Sequence, residues 1–317
     1  MVRLLVLLIG LTLLGCGGPT DETPATDPNA TPEAGAAPDA AVAPPPPAPA
    51  EDDAASPSPS LDDVLAAQPE EVQARYPHRH PKETLEFFGI EPGMTVVEVL
   101  PGSGWYSRIL VTYLGPEGRL IGANYPRDVW PALGMTNPEQ LDAMARWVQE
   151  WPAEARQWQG ENGARIEAFE LGALPAGLEG QADAVLVIRA LHNLARVESE
   201  GGYLGTSVDD LVRVLKPGGI LGVVQHEARP DMPDAWASGA AGYLKKQFVI
   251  DRLTEAGLEL VEESDINQNP KDRPTIEDVV WRLPPSYGTS GDDPQKRAEV
   301  DAIGESNRMT LKFRKPV

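Results

Sequence analysis

The 317-residue sequence contains one cysteine, Cys16, and four histidines. A single thiol excludes an internal disulfide scaffold and a cluster of thiolate metal ligands. His78 and His80, with His192 and His226, could in principle bind a metal ion. The sequence lacks a His-Glu-x-x-His motif and a carboxylate facial motif, so we expect no metal site.

Positive charge is scarce as well, because 27 Lys and Arg stand against 48 Asp and Glu and give a net charge of -21. Without a basic stripe, we expect neither nucleic-acid binding nor electrostatic attachment to anionic lipid. A Gly-x-Ser-x-Gly elbow is missing, which disfavours a hydrolase of that type. The Gly-x-Gly-x-x-Gly register fails at Ser107, which disfavours a dinucleotide oxidoreductase.

The amino terminus has a short apolar run at residues 4–14, preceded by Arg3. It is too short to span a hydrocarbon core of roughly 30 Å, so an export signal is favoured over a transmembrane helix. Leu13-Leu-Gly-Cys16 resembles a bacterial lipobox, which implies cleavage before Cys16 and lipidation of Cys16. We therefore expect a lipoprotein signal peptide at 1–16, with the protein lipid-anchored to the bacterial cell envelope and facing the periplasm.

Residues 17–60 contain no Lys or Arg, and 12 Pro and 12 Ala dominate their composition. Such a segment cannot bury enough apolar surface to offset the entropy of ordering it. We expect residues 17–60 to form a disordered linker, followed by one domain at 61–317 that carries the function.

Apolar, β-branched runs alternate with helical patterns in the domain, which predicts a doubly wound α/β fold. Two well-separated final strands are compatible with an antiparallel last strand. The predicted strands are 95–99, 119–124, 165–171, 182–188, 219–225, 258–263 and 309–314, and the predicted helices include 61–75, 81–88, 103–114, 206–215 and 249–256. Trp147, Trp151 and Trp158 recur at spacings that predict one apolar helix face, with a ligand-stacking platform as the alternative.

The most informative stretch is 96–110, where an apolar strand ends in the turn Pro101-Gly-Ser-Gly104 and a helix follows. This layout lets a backbone approach a nucleotide-like ligand closely. Glu98, Gly102 and Gly104 resemble the acidic-x-Gly-x-Gly-x-Gly loop of class I S-adenosylmethionine-dependent methyltransferases, with Leu100 in the first glycine position.

Other motifs agree with that resemblance. Leu215-Lys-Pro-Gly-Gly219 is similar to a tag of the superfamily that precedes the fifth strand. The chain further resembles the predicted methyltransferases exported by Gram-negative bacteria in Leu191-His-Asn193, Asn269-Pro-Lys-Asp272 and residues 303–313. The resemblance implies a mostly parallel, seven-stranded Rossmann-like methyltransferase sheet with an antiparallel last strand. Asn269 to Asp272 is expected to be a turn, with a lid as the alternative.

The resemblance also implies the cofactor S-adenosylmethionine and a set of residues that contact it. Gly102, Ser103 and Gly104 would lie beneath its methionine part, and Glu98 would accept a hydrogen bond from its amino group. Asn124 stands where an acidic residue normally binds the ribose hydroxyls, and an amide loses the charge-assisted component of that contact. The expected cofactor-binding residues are Glu98, Pro101, Gly102, Ser103, Gly104, Trp105, Asn124, Gly172 and Ala173.

The segment after the fourth strand supplies the catalytic candidates Arg189, His192 and Asn193. A histidine can accept a proton near neutral pH, and an asparagine can orient a nucleophile. The alternative for His192, and for His226 after the fifth strand, is a histidine that packs or caps a loop. We therefore expect a methyltransferase acting on a small molecule or an envelope component. The competing hypothesis is a non-catalytic ligand-binding or structural lipoprotein, supported by Leu100 and Asn124.

Overall fold

The computed structural model describes residues 59–317. The predicted signal peptide, Cys16 and nearly all of the predicted linker lie outside the described residues. No helix within 59–317 has both the length and the apolar character needed to cross a bilayer.

The described residues form eight strands, twelve α-helices and three 3₁₀ turns. The strands are β1 Thr95–Val99, β2 Arg119–Asn124, β3 Arg165–Glu170, β4 Ala182–Ile188, β5 Leu215–Ala228, β6 Leu244–Lys245, β7 Glu259–Ser264 and β8 Arg308–Arg314. The helices are α1 Leu61–Ala66, α2 Glu70–Gln73, α3 Tyr76–Arg79, α4 Pro81–Phe88, α5 Ser107–Tyr113, α6 Val129–Ala132, α7 Pro138–Ala155, α8 Leu191–Arg196, α9 Glu198–Gly201, α10 Tyr203–Val214, α11 Lys246–Glu255 and α12 Pro294–Ile303. The 3₁₀ turns are Arg156–Trp158, Ala176–Leu178 and Val280–Arg282.

Seven strands form one sheet in the order β3-β2-β1-β4-β5-β8-β7, and β6 pairs with β5 beside it. β8 is antiparallel to β5 and to β7, whereas the other paired strands are parallel. The predicted doubly wound, mostly parallel sheet with an antiparallel last strand is therefore confirmed. β6 was not predicted, because two residues are too short to show a periodic pattern.

Both faces of the sheet are buried. Val97 and Val99 of β1 belong to one apolar cluster, and Val96 belongs to the other. Side chains of α8, α10 and α11 complete the first cluster, while α1, α4, α5 and α7 contribute to the second. This two-sided cover explains why β1 and β4 read as nearly continuous apolar runs.

Several predicted boundaries need correction. The helix expected at 61–75 is two helices, because Pro69 disfavours helical geometry in the residue before it. The first crossover helix, α5, begins at Ser107 and not at 103, because Gly104 N donates to Pro101 O in a turn. β5 begins at Leu215, four residues early, so the predicted turn at Pro217-Gly218 lies inside the strand.

The tryptophan pattern is explained by packing. Trp147 and Trp151 lie on α7 with ring centroids 5.1 Å apart, whereas Trp158 belongs to the following 3₁₀ turn. All three pack in the second apolar cluster. The prediction of a single helix carrying all three was thus wrong at Trp158, because α7 ends at Ala155.

Candidate functional site

Two neighbouring cavities lie at the carboxyl ends of β1 and β4. The larger has a volume of about 430 Å³ and the smaller about 210 Å³. Arg189 and Pro285 line both cavities, so the two spaces meet at these residues. The carboxyl edge of a doubly wound sheet is where such folds bind their ligands.

The turn after β1 forms one wall of the larger cavity through Leu100, Pro101, Gly102, Ser103 and Trp105. Gly102 has φ +59°, a conformation that favours glycine. A Cβ added to Gly102 would have only Leu100 O within 4 Å, at 3.9 Å. Gly102 therefore presents bare backbone to open space inside the cavity.

The other two positions of the loop behave differently. Leu100 adopts φ +51° and lines the cavity, so a side chain occupies the position where the resemblance implies glycine. Gly104 has φ +74°, but a Cβ there would overlap the indole ring of Trp158. Packing against Trp158 is enough to explain the glycine at 104, and its predicted contact with a cofactor stays a prediction.

Glu98 lies in β1 and is only 5% exposed. Ser107 Oγ donates to Glu98 Oε2 at 2.6 Å. Burial raises the pKa of Glu98 to about 7, although the Ser107 hydrogen bond and the charge of Arg189 lower it. Near neutral pH this carboxyl is therefore divided between its protonated and ionised forms.

Five predicted cofactor residues lie outside the wall of the larger cavity: Glu98, Gly104, Asn124, Gly172 and Ala173. Asn124 is buried at the end of β2, and its Oδ1 accepts a hydrogen bond from Tyr125 N at 2.9 Å. Gly172 N donates to Asp210 Oδ2 at 2.7 Å. The structure thus brings Pro101, Gly102, Ser103 and Trp105 together with Arg189, and the cofactor roles of the other five residues stay predictions.

The smaller cavity brings Arg189, His192 and Asn193 together, as their closeness in sequence suggested, and adds His226. His192 Nδ1 lies 3.4 Å from Gln225 Oε1, and the two imidazole centroids are 5.4 Å apart. Burial lowers the pKa of His192 to about 4 and that of His226 well below its usual value. Both rings are therefore neutral at pH 7.

Asn193 is held in a fixed orientation. Its Nδ2 donates to the hydroxyl of Tyr125 at 3.2 Å, and that hydroxyl donates to Ala190 O at 2.6 Å. Because Tyr125 is buried, this chain of hydrogen bonds connects the end of β2 to the first turn of α8. An asparagine fixed in this way can present its remaining polar atoms to the cavity in one orientation.

An arginine cluster around Glu305 was not predicted from the sequence. Arg75 Nε and Arg79 Nε donate to Glu305 Oε1 at 2.8 and 3.0 Å, and Arg308 Nη1 donates to Oε2 at 3.2 Å. Burial alone would raise the pKa of Glu305, but the guanidiniums of Arg308, Arg79, Arg189 and Arg75 lower it to about 2. Arg75 and Arg79 line the larger cavity, and Glu305 lines the smaller one.

The segment that carries Glu305 is fixed by the motif at 269–272. Asn269 Nδ2 donates to Ile303 O at 2.8 Å and to Glu305 O at 2.6 Å. Asp272 Oδ2 accepts from Asn307 N at 2.9 Å, and Asp272 N donates to Asn269 O. The predicted turn is therefore confirmed, and it positions residues at the smaller cavity from outside its wall.

The remaining histidines do not line the smaller cavity, although their own cavity shares Glu305 with it. His78 and His80 line a third cavity of about 250 Å³, which His192 and His226 do not reach. Within residues 59–317, no group of three or more His, Cys, Asp or Glu side chains is arranged to hold a metal ion.

No family model and no curated protein match this sequence. Solved structures similar to this chain include the cyclase SpnF, at 18% identity with 76% of this chain and 81% of that chain covered, and a TM-score of 0.46. A SAM-dependent methyltransferase from Aquifex aeolicus is 16% identical, with 66% and 93% covered and a TM-score of 0.42. The N-methyltransferase NodS from Bradyrhizobium japonicum, in complex with S-adenosyl-L-homocysteine, is 17% identical, with 81% and 97% covered and a TM-score of 0.42.

Proposed function

We propose that this protein is an S-adenosylmethionine-dependent methyltransferase that acts on a small acceptor. The observation that carries the proposal is Gly102, whose bare backbone faces a cavity of about 430 Å³ beyond β1. Ligands of doubly wound folds lie at this edge of the sheet, and a glycine with open space above it permits close approach.

The walls of the larger cavity fit the methionine part of the cofactor. The turn of Pro101, Gly102 and Ser103 would lie beneath it, and Trp105 would form a side wall. Arg75 and Arg79 would offer positive charge to its carboxylate, since both line the same space. The proposal keeps Asn124, Gly172 and Ala173 as candidates for the ribose and adenine parts.

When bound, S-adenosylmethionine supplies a methyl group whose bond to the sulfonium sulfur breaks with the electron pair left on sulfur. The acceptor atom would form the new bond to that carbon in line with the breaking one, in the same step, and would lose its proton. We assign the proton to His192, which lines the smaller cavity and is neutral at pH 7 because burial lowers its pKa to about 4. Asn193, fixed by Tyr125, would orient the acceptor.

Calorimetric titration of the full chain with S-adenosylmethionine and S-adenosylhomocysteine tests the proposal. Gly102→Val should weaken binding by about tenfold or more, because its side chain would enter the cavity. The matched control is Gly93→Val, a glycine with φ +82° and equally open space but no place in the cavity wall. No binding heat in the wild type at millimolar ligand would refute the proposed enzyme. Equal binding in Gly102→Val would instead show that the cofactor binds elsewhere than beside Gly102.

A second function is favoured by two observations: Leu100 occupies the first glycine position, and Asn124 turns its Oδ1 to Tyr125 N. These features support a ligand-binding lipoprotein that has kept the fold without the reaction. Binding of S-adenosylhomocysteine without methyl transfer to any acceptor of a metabolite mixture would favour this function over the enzyme.

We also propose that the protein is exported and lipid-anchored through Cys16, on the strength of the apolar run and lipobox-like segment that precede it. Mass spectrometry of the mature amino terminus should find an acylated Cys16 as the first residue. An unmodified Cys16, or an intact leader, would refute the anchor.

A further inference from the structure

Arg189 lines both cavities, and its guanidinium has no partner among the described residues. Within residues 59–317, its side chain makes no hydrogen bond or ion pair, and its Nε is buried without a partner. Buried charges in folded proteins are normally paired, because an isolated charge loses its hydration without compensation. An unpaired arginine in this position therefore indicates a ligand that is itself charged.

The neighbouring carboxyl groups do not fill that role. Glu305 is shared among Arg75, Arg79 and Arg308, whose donors lie 2.8 to 3.2 Å from its oxygens. The charge of Arg189 lowers the pKa of Glu98, but the two side chains form no ion pair in the described part of the chain. Burial outweighs that charge and raises the pKa of Glu98 to about 7. Four guanidiniums thus surround one fully ionised carboxylate, in a protein whose net charge is -21.

The backbone of Arg189 is strained at the position where its side chain lines both cavities. Arg189 adopts φ +58°, which is unfavourable for a side chain with a Cβ, and its N–H donates to Val224 O at 2.6 Å. Strain in a residue that lines a cavity is typical of groups retained for binding. The smaller cavity, at about 210 Å³, lies below the roughly 300–1,000 Å³ of sites for drug-sized ligands.

We infer that the smaller cavity binds a small carboxylate as the acceptor, with the carboxylate paired to Arg189 and the reacting atom directed toward His192. One unshared guanidinium matches a monoanion in charge, and its planar fork matches a carboxylate in shape. This inference rests on the proposed function, since it names the acceptor class for the same site.

Titration calorimetry of the full chain with benzoate, benzamide and phenyl phosphate tests the inference, first alone and then with S-adenosylhomocysteine at saturation. Benzoate should bind, benzamide should bind at least about tenfold more weakly, and S-adenosylhomocysteine should not displace benzoate. Arg189→Gln should weaken the binding of benzoate by about tenfold or more, and the affinity of Arg189→Lys should lie between those of the wild type and Arg189→Gln. Arg146→Gln, the same charge change on an exposed face of α7, should bind like the wild type.

The stability of the variant gives a separate readout. Because Arg189 is an unpaired, partly buried cation, Arg189→Gln should melt no lower than the wild type in the absence of ligand. A residue retained only for structure would give the opposite result.

Three outcomes would overturn the inference: equal benzoate binding in Arg189→Gln, displacement of benzoate by S-adenosylhomocysteine, or binding of phenyl phosphate without benzoate. Any of these, together with intact binding of S-adenosylhomocysteine, leaves the proposed methyltransferase standing. Failure of S-adenosylhomocysteine to bind refutes the methyltransferase, while the benzoate titrations without it still report on Arg189.

Discussion

His226 Nδ1 lies 2.6 Å from Ser306 Oγ, and this hydrogen bond connects the end of β5 to the segment before β8. Because both residues are buried, water cannot readily replace either partner. The bond therefore fixes one imidazole of the smaller cavity through another residue that lines it.

Removal of that hydroxyl should be measurable as lost stability. Ser306→Ala leaves the buried Nδ1 of a neutral histidine without a partner, at an expected cost of about 1 kcal/mol in urea denaturation at neutral pH. Ser286→Ala is the control, since Ser286 lines the same cavity but makes no side-chain hydrogen bond in the described part of the chain. Equal losses in the two variants would contradict the assigned role of Ser306.

Glu98 should make stability fall as pH rises. The folded-state pKa is about 7, raised by burial above the ordinary 4.5, so the folded protein holds a proton that the unfolded chain releases. Between these pKa values the free energy of unfolding of the wild type should fall by about 3 kcal/mol relative to that of Glu98→Gln. Denaturation at about pH 5 and at about pH 8 measures this difference. Glu150→Gln, an exposed carboxyl on α7, should leave the pH dependence intact.

Glu305 should act in the opposite direction. The surrounding arginines lower its folded-state pKa to about 2. Its contribution to the free energy of unfolding is therefore complete above the ordinary pKa of 4.5 and is lost as pH falls toward 2. Glu305→Gln should cost about 3–5 kcal/mol at neutral pH, because it leaves buried cations unpaired. Glu179→Gln, from the exposed pair with Arg213, should cost less than about 1 kcal/mol. Similar costs for the two substitutions would rule out a central role for Glu305.

His192 should stay neutral well below the pH at which an ordinary histidine is protonated. Burial lowers its pKa to about 4, so stability should decline as pH falls from 6.5 toward 4, and His192→Gln should remove that part of the decline. Titration of the imidazole resonances by NMR measures the pKa directly. A value near 6.5 would contradict both the burial of the ring and its assignment as a base available at acidic pH.

Leu100→Gly should raise the affinity for S-adenosylhomocysteine. The substitution removes a side chain from the wall of the larger cavity. Glycine also tolerates the left-handed φ that costs leucine about 1–2 kcal/mol, and this gain offsets the loss of apolar packing. Calorimetry on the variant and the wild type measures the change. Unaltered or weaker affinity would show that Leu100 does not limit the site.

The predicted parts of the fold were those governed by local pattern. β1, β2 and β4 have the bounds read from the sequence, because a buried parallel strand is a continuous apolar run closed by turn residues. The Gly102 turn and the grouping of Arg189, His192 and Asn193 could also be predicted, since each is contiguous in sequence.

The rest of the site depends on contacts between distant parts of the chain. Arg75 and Arg79 meet Glu305 across 230 and 226 residues, and neither end carries a local pattern that names the other. Gly104 has a local pattern that predicts a cofactor contact, because its spacing fits a cofactor loop. In the structure, the ring of Trp158 occupies the space beside it. Only the packed structure separates these two causes of a glycine.

The distance in sequence between those arginines and Glu305 also sets an order of events during synthesis. Arg75 leaves the ribosome 230 residues before Glu305 does. A nascent chain that stops before residue 305 contains the residues of β1 to β7 but lacks the carboxylate that pairs with Arg75 and Arg79. The smaller cavity, which Glu305 and Ser306 line, is therefore completed only after residue 306 has been synthesised.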